Sequence, residues 1–206
     1  MEPGHWLSLF AICLLGAMSP GPSLAIVLNT AMRRGRSAGF SCAIAHGAGV
    51  ALYGLLTVTG LAVLVTRSAS VFIVIQLLGA AYLVYLGIKS MRSQAAAQPT
   101  QSTNAPANSG SAACDGFLVA FLNPKLAVFM LALFAQFLDP GATTTQKAIM
   151  VATVGITDAS WYSLIVVVAS HRAFLSRLQN NAAIIDRIFG VILIGLAITV
   201  VFRALG

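Results

Sequence analysis

The sequence of 206 residues has few charges: aspartate, glutamate, lysine and arginine make up 8% of it, whereas 58% is hydrophobic. A soluble domain carries about 25% charged residues, so this composition excludes a soluble protein and predicts an integral membrane protein. The formal net charge is +7, but most basic residues flank apolar segments. Basic residues in such positions orient a protein against an anionic leaflet, and they predict a lipid bilayer rather than nucleic acid as the partner.

Cysteine is also scarce. Cys13, Cys42 and Cys114 lie far apart and form no CxxC pair. The sequence therefore indicates neither a metal site nor a dithiol redox site, and no cofactor is expected. The zinc motif HExxH does not occur either, so an enzyme is not predicted. A dyad of Ser19 and His46 is the intramembrane-enzyme alternative that the residues leave open.

Six apolar stretches are long enough to cross a bilayer, since a spanning helix needs about 20 residues. We expect these spans at 6–32, 38–66, 69–88, 116–138, 147–170 and 188–205. Between the third and fourth lies a polar segment rich in alanine, glutamine, serine, asparagine and proline, a composition typical of a flexible linker. The predicted units are a first three-helix repeat at 1–92, a cytoplasmic linker at 93–115 and a second three-helix repeat at 116–206.

The distribution of lysine and arginine predicts the orientation, because short cytoplasmic loops are enriched in both. Eight lie in the first, third and fifth loops and three on the alternate side, which places both termini outside the cytoplasm. With three spans in each half, the second half enters from the opposite side. The expected fold is therefore all-α, with six transmembrane helices in two inverted repeats, as in many secondary transporters.

Proline breaks the first and the fourth predicted span. Ser19-Pro20-Gly21-Pro22 stands in a long run without charged residues, and Asn123-Pro124-Lys125 stands in the fourth span. Proline inside a helix costs about 3 kcal/mol, and in hydrocarbon the freed backbone groups find no water. Secondary transporters place substrate and ion sites at such broken helices. We therefore expect both motifs to bind substrate, with a structural kink as the alternative.

Three titratable residues, His46, Lys125 and Asp158, are expected near the bilayer midplane. At about 1.5 Å per residue, each lies about 13–16 Å inside a core about 30 Å thick. A charge at that depth costs at least about 2.5–3.5 kcal/mol, so Lys125 and Asp158 are predicted to face the interior and to meet each other or a substrate. Lys125 would bind a carboxylate and Asp158 an ammonium group. Half-helix N-termini after Pro22 and Pro124 would add N–H donors for the carboxylate.

Asp158 and His46 are also the candidates for carrying a proton, because intramembrane acids and histidines form proton relays in transporters. Trp161 and Tyr162 follow Asp158 on the same helix face and are predicted to line the site. The alternatives are a purely structural ion pair between Lys125 and Asp158 and a packing histidine at position 46. Ligands for a metal ion are too few to predict a metal site.

Taken together, the motifs resemble the LysE/RhtB family of amino-acid exporters. The matching pieces follow one another along nearly the whole chain outside the linker: Ser19-Pro20-Gly21-Pro22, Asn29, Arg33-Arg34-Gly35, Gly79 to Leu83, Tyr85-Leu86-Gly87, Leu122 to Lys125, Gln136-Phe137, Asp139-Pro140, Asp158, Trp161-Tyr162, Asp186-Arg187, Gly190 and Gly195. The resemblance implies a multi-pass protein of the bacterial inner membrane that exports a small amino acid or derivative and is driven by protons.

One position departs from the family pattern: Gly49 is followed by Val50, where members often carry a polar or acidic residue. The departure argues against a dibasic substrate, which would need a second buried carboxylate. We therefore expect export of a neutral amino acid by alternating access, with another small solute or ion as the alternative. A homo-oligomer is compatible with the sequence.

Overall fold

The computed structural model describes residues 3–19, 21–92, 111–139, 141–169 and 180–205. Within these ranges the regular elements are helices and no strand occurs, which confirms the predicted all-α class. The described ranges contain eight helices with both ends defined: α1 (Pro3–Met18), α2 (Pro22–Arg34), α3 (Arg36–Arg67), α4 (Ala69–Arg92), α5 (Ala112–Phe121), α6 (Pro124–Phe137), α7 (Thr144–Val168) and α8 (Ala182–Leu205).

Helices α3, α4, α7 and α8 are each long and apolar enough to cross a membrane. The pairs α1–α2 and α5–α6 also qualify when each pair is taken as one span, with bends of 61° and 58° between their halves. The described residues therefore contain four candidate spans, or six if each bent pair is one span. Each of the six predicted apolar stretches corresponds to one of these helices or pairs.

At each predicted break a new helix begins, and its first residue is a proline. Pro22 opens α2 and Pro124 opens α6. Proline is favoured there because its missing N–H would have no partner inside the helix. Asn123 caps α6, since its side-chain oxygen accepts hydrogen bonds from the N–H groups of residues 125 and 126 at 3.0 and 3.3 Å. Gly21 precedes α2 and provides no side-chain cap.

The helix α5 begins inside the predicted linker 93–115. Its first residue is Ala112, and the hydroxyl of Ser111 accepts a hydrogen bond from the N–H of Cys114 at 3.1 Å. This serine cap stabilises the helix start at that point. Residues 93–110, which make up most of the predicted linker, lie outside the described ranges.

Glycines bring two pairs of long helices into close contact. A methyl group at Gly47 of α3 would lie 2.6 Å from the Cβ of Ala159 on α7. Between α4 and α8, a methyl group at Gly87 would lie 2.7 Å from the carbonyl oxygen of Gly190. Small residues allow helices in membranes to approach until their backbones touch. The contacts therefore hold α3 against α7 and α4 against α8.

The hydrophobic core surrounds α6. Along this helix the side chains of residues 129, 130 and 132–137 are buried. They pack with apolar residues of α1, α3, α4, α7 and α8. A smaller cluster joins α2 to the beginning of α3 and the end of α7. The break between α1 and α2 thus connects a helix of the main core to a helix of the second cluster.

Candidate transport site

Polar side chains form two groups beside the break between α1 and α2, each of them around a buried aspartate. We name the first the histidine cluster, which consists of Ser23, His46, Asp158 and Tyr162. We name the second the aspartate cluster, which consists of Ser19, Ser90, Lys125 and Asp186. The break contributes one serine to each cluster, so both sites meet the same interrupted helix.

In the histidine cluster, His46 Nδ1 lies 2.6 Å from Asp158 Oδ2. His46 is 2% exposed and Asp158 is 9% exposed, so water has little access to the pair. Tyr162 packs its ring at 74° to the imidazole, with 4.9 Å between the centroids, and it belongs to the apolar cluster that includes Leu24 and Val27 of α2, next to Ser23. The cluster therefore ties α2, α3 and α7 together.

The histidine–aspartate pair has two states of protonation that keep the same contact. Either Nδ1–H of His46 donates to the Asp158 carboxylate, or the protonated carboxyl donates to a bare Nδ1. The first arrangement holds one proton, on His46 Nδ1, and the pair has a net charge of −1. The second holds one proton on the carboxyl group and one on His46 Nε2, and its net charge is zero. The geometry is therefore suited to taking up and releasing one proton inside the protein.

Two buried nitrogen atoms near this cluster have no hydrogen-bond partner among the described residues. They are His46 Nε2 and the indole Nε1 of Trp161. An unpaired buried polar group costs about 1–3 kcal/mol. Polar atoms that remain unpaired at that cost favour a polar ligand, and the role of Trp161 in the site stays a prediction.

In the aspartate cluster, the Ser19 hydroxyl donates to Asp186 Oδ1 at 2.8 Å. The Ser90 hydroxyl donates to the backbone carbonyl of Asp186 at 2.7 Å. Asp186 is 4% exposed. These bonds join the break, the end of α4 and the first turns of α8 around one buried carboxylate.

Sequence reasoning missed Asp186 as a site residue. The predicted sixth span, 188–205, left this carboxylate just outside the apolar run. The helix α8 instead begins at Ala182, so Asp186 lies in its second turn and is buried. The available signal was the position of the acid directly before an apolar run of membrane length.

The structure does not bring Lys125 and Asp158 together, because Asp158 contacts His46 instead. Lys125 lies in the first turn of α6 with an exposed side chain, and it forms no ion pair with any described residue. The charged groups that act on it are those of Lys89 and Asp186. The structural ion pair of Lys125 and Asp158 considered from the sequence is therefore not formed.

The other predicted substrate residues lie at the two breaks. Gly21, Pro22 and Pro124 are exposed, and the side-chain oxygen of Asn123 is occupied by the N–H groups at the start of α6. Pro20 lies outside the described residues. The two breaks therefore differ, because a side chain caps the N-terminus of α6 and none caps that of α2.

A serine-hydrolase site finds no support in the one GxSxG spacing of the chain, which runs from Gly35 to Gly39. A nucleophile elbow requires a strand before the serine, whereas here α2 precedes and α3 begins at residue 36. Ser37 is exposed, and its carbonyl accepts a hydrogen bond from Ser41. Nor do three histidine, cysteine or acidic side chains of the described part come together as metal ligands.

A family model described as LysE type translocator matches residues 14–203. This chain belongs to the LysE-type translocator family. The match includes both breaks and both polar clusters. It confirms the resemblance seen in the motifs, and it confirms the prediction of a transporter rather than an enzyme.

Relatives of this LysE-type translocator cover most of its length. It is 24% identical to the leucine efflux protein of Salmonella typhimurium, with 94% of this chain and 92% of the relative aligned. It is 24% identical to the Bacillus subtilis membrane protein YrhP over 93% of this chain and 96% of the relative. It is 30% identical to the Escherichia coli membrane protein YahN over 78% and 72% of the two chains. No solved structure matches the chain.

Proposed function

We propose that this LysE-type translocator exports a small neutral amino acid from the cytoplasm in exchange for protons. The amino-acid substrate is supported by full-length similarity to a protein named for leucine efflux. The single observation that carries the proton coupling is the buried contact of 2.6 Å between His46 and Asp158.

Proton occupancy of this pair changes the net charge between α3 and α7. A net charge inside a protein costs several kcal/mol, whereas a compensated pair costs far less. Protonation therefore favours close packing of α3 and α7, and deprotonation favours a conformation that admits water or a counter-charge. Since Tyr162 packs in the apolar cluster that joins α2 to α3 and α7, the second half of the broken first span should follow this change.

The proposed architecture is a pair of inverted repeats, 1–92 and 116–206, joined by a cytoplasmic linker at 93–115. The pairing of the helices supports it. The second span of one half packs on the second span of the other, α3 on α7, and the third on the third, α4 on α8. The two bent spans have similar angles, 61° and 58°. Both termini would lie outside the cytoplasm in the bacterial inner membrane. Rocking of the repeats about the breaks would give alternating access.

A neutral side chain is favoured because few buried carboxylates are available. Among the described residues only two carboxylates are buried, Asp158 and Asp186. Asp158 already has His46 as its partner. One carboxylate is then left for the α-ammonium group, and none for the second cation of a dibasic amino acid. We place the substrate between the two breaks, with Trp161 and Tyr162 along the same path.

Purified protein in liposomes separates coupling from recognition. With [14C]leucine as the probe, the wild type should accumulate leucine when a pH gradient is imposed, and a protonophore should abolish this accumulation. His46→Gln and Asp158→Asn should lose pH-driven accumulation but keep exchange of external for internal leucine, which needs no gradient. Asp115→Asn is the matched control, since that carboxylate lies in an exposed ion pair with Arg34 at 3.1 Å.

Two results would contradict the proposal. One is pH-driven accumulation by both variants at the wild-type level. The other is a wild type that transports none of the twenty amino acids of proteins under any gradient.

A further inference from the structure

Asp186 is a buried carboxylate, and no charged side chain in the described part of the chain contacts it directly. Among the described residues, its one side-chain hydrogen bond comes from the neutral hydroxyl of Ser19. A carboxylate with several lone pairs retains acceptor capacity after one such bond. A buried charge without a charged partner is costly, so residues of this kind are usually paired or bind a cation. Asp186 is therefore suited to bind a positively charged ligand.

The surroundings of Asp186 also suit a negative group. Lys89 and Lys125 lie near enough for their charges to influence each other, and Asp186 acts on Lys125 as well. Two ammonium groups against one carboxylate leave a surplus positive charge at this place. A ligand with one cationic and one anionic end would satisfy both the carboxylate and the lysines.

An apolar layer lies one helical turn from these charges. Phe129 follows Lys125 by four residues on α6, and Phe189 follows Asp186 by three residues on α8, so each pair shares a helix face. The two phenylalanine rings meet with 6.1 Å between their centroids. On both helices the charged residue comes first and the phenylalanine one turn later. The charged residues therefore form one layer and the phenylalanines the layer beside it.

The first span completes both layers. Gly16 precedes Ser19 by three residues on α1, and a methyl group at Gly16 would lie 3.5 Å from the ring of Phe189 and 3.8 Å from that of Phe129. Glycine thus leaves the aromatic rings without a side chain from α1 between them. The first span, α6 and α8 each contribute a polar residue to one layer: Ser19, Lys125 and Asp186. To the next layer they contribute Gly16, Phe129 and Phe189.

We propose that Asp186 and Ser19 bind the α-ammonium group of the transported amino acid, that Lys125 binds its carboxylate, and that its side chain lies against Gly16 and Phe129. This inference rests on the proposed amino-acid transport and assigns its recognition to the aspartate cluster. The pair of His46 and Asp158 then serves proton coupling alone. Substrate and proton are bound by separate carboxylates on opposite sides of one helix break.

The test uses the full chain in liposomes, with [14C]leucine transport and two competitors. 4-Methylpentanoate is leucine without its amino group, and isoamylamine is leucine without its carboxylate. Asp186→Asn should raise the KM for leucine about 10- to 100-fold, the loss expected for a charge-assisted hydrogen bond. It should leave inhibition by 4-methylpentanoate unchanged, because that compound has no ammonium group. Lys125→Gln should weaken inhibition by 4-methylpentanoate and leave inhibition by isoamylamine unchanged.

Ser19→Ala tests the same site with the charge of Asp186 retained, in case the asparagine variant does not fold. It should raise the KM for leucine about 3- to 10-fold, again without effect on 4-methylpentanoate. Asp115→Asn is the control for loss of a carboxylate elsewhere. All variants are compared at equal amounts of monodisperse protein.

The outcomes separate the two proposals. A wild type that transports no amino acid refutes the proposed function and the present inference with it. If the wild type transports leucine but Asp186→Asn has an unchanged KM, the proposed function is retained and the assignment of Asp186 is overturned. Equal weakening of leucine and 4-methylpentanoate also overturns it, because a structural defect would act on both.

Discussion

Replacing Gly47 by alanine should separate α3 from α7 at the level of the histidine cluster. The added methyl group would lie 2.6 Å from Ala159 Cβ and 2.7 Å from the carbonyl oxygen of Gly155. Carbon atoms in favourable contact are about 3.5–4.0 Å apart, so the helices have to move apart by about 1 Å. Gly47 and Ala159 are the neighbours of His46 and Asp158 in the chain, so the separation acts directly on that pair.

The magnitude follows from the geometry. The contact between His46 and Asp158 would lengthen from 2.6 Å by about 1 Å, beyond the range of a hydrogen bond. Overpacking of this kind costs about 1–3 kcal/mol in stability. We expect Gly47→Ala to lower the melting temperature in detergent and to lose pH-driven leucine accumulation, while exchange of leucine across the membrane continues.

A matched control lies on the same helix. A methyl group at Gly60 would meet no atom within 4 Å, so Gly60→Ala should melt and transport like the wild type. The second substitution Ala159→Gly, added to Gly47→Ala, removes one of the clashing carbons and should restore part of the lost stability. If Gly47→Ala behaves like Gly60→Ala in both measurements, the close contact of α3 and α7 does not control the proton pair.

Two further predictions concern α6. Asn123→Ala removes the cap from two backbone N–H groups and should lower the free energy of unfolding by about 1 kcal/mol, measured by denaturant titration; Asn123→Asp, which keeps an acceptor, should retain most of it, and equal loss in both would exclude a capping role. Phe129→Ala opens space beside Gly16 and should extend transport to larger side chains such as that of tryptophan, measured by competition against [14C]leucine. An unchanged substrate range would place the side-chain pocket elsewhere.

The spans and their interruptions could be read from the sequence because both depend on local properties. Hydropathy over about 20 residues identifies a spanning helix, and proline ends a helix wherever its ring and its missing N–H cannot be accommodated. Pro22 and Pro124 therefore lie at helix starts, as the pattern predicted. Depth estimates also brought His46 and Asp158 to similar levels of the bilayer.

The partners of the charged residues could not be predicted in the same way, because they depend on contacts between distant segments. His46 reaches Asp158 since glycine and alanine let α3 and α7 touch, which no local pattern encodes. Lys125 does not reach Asp158, and the charges that act on it are those on α4 and α8. Asp186 lies just outside the predicted sixth span, because charge beside an apolar run usually marks a membrane boundary.

The unequal capping of the two breaks has a consequence for the balance of the transport cycle. If two inverted repeats were chemically identical, exchanging their roles would convert the inward-facing form into the outward-facing form at no cost, and both would be equally populated. Asn123 fixes the corner before α6, whereas Gly21 leaves the corner before α2 without a side-chain restraint. A difference of about 1 kcal/mol, the usual value of one cap, shifts such an equilibrium about fivefold. In the proposed transport cycle, the empty carrier should therefore rest preferentially on one side of the membrane.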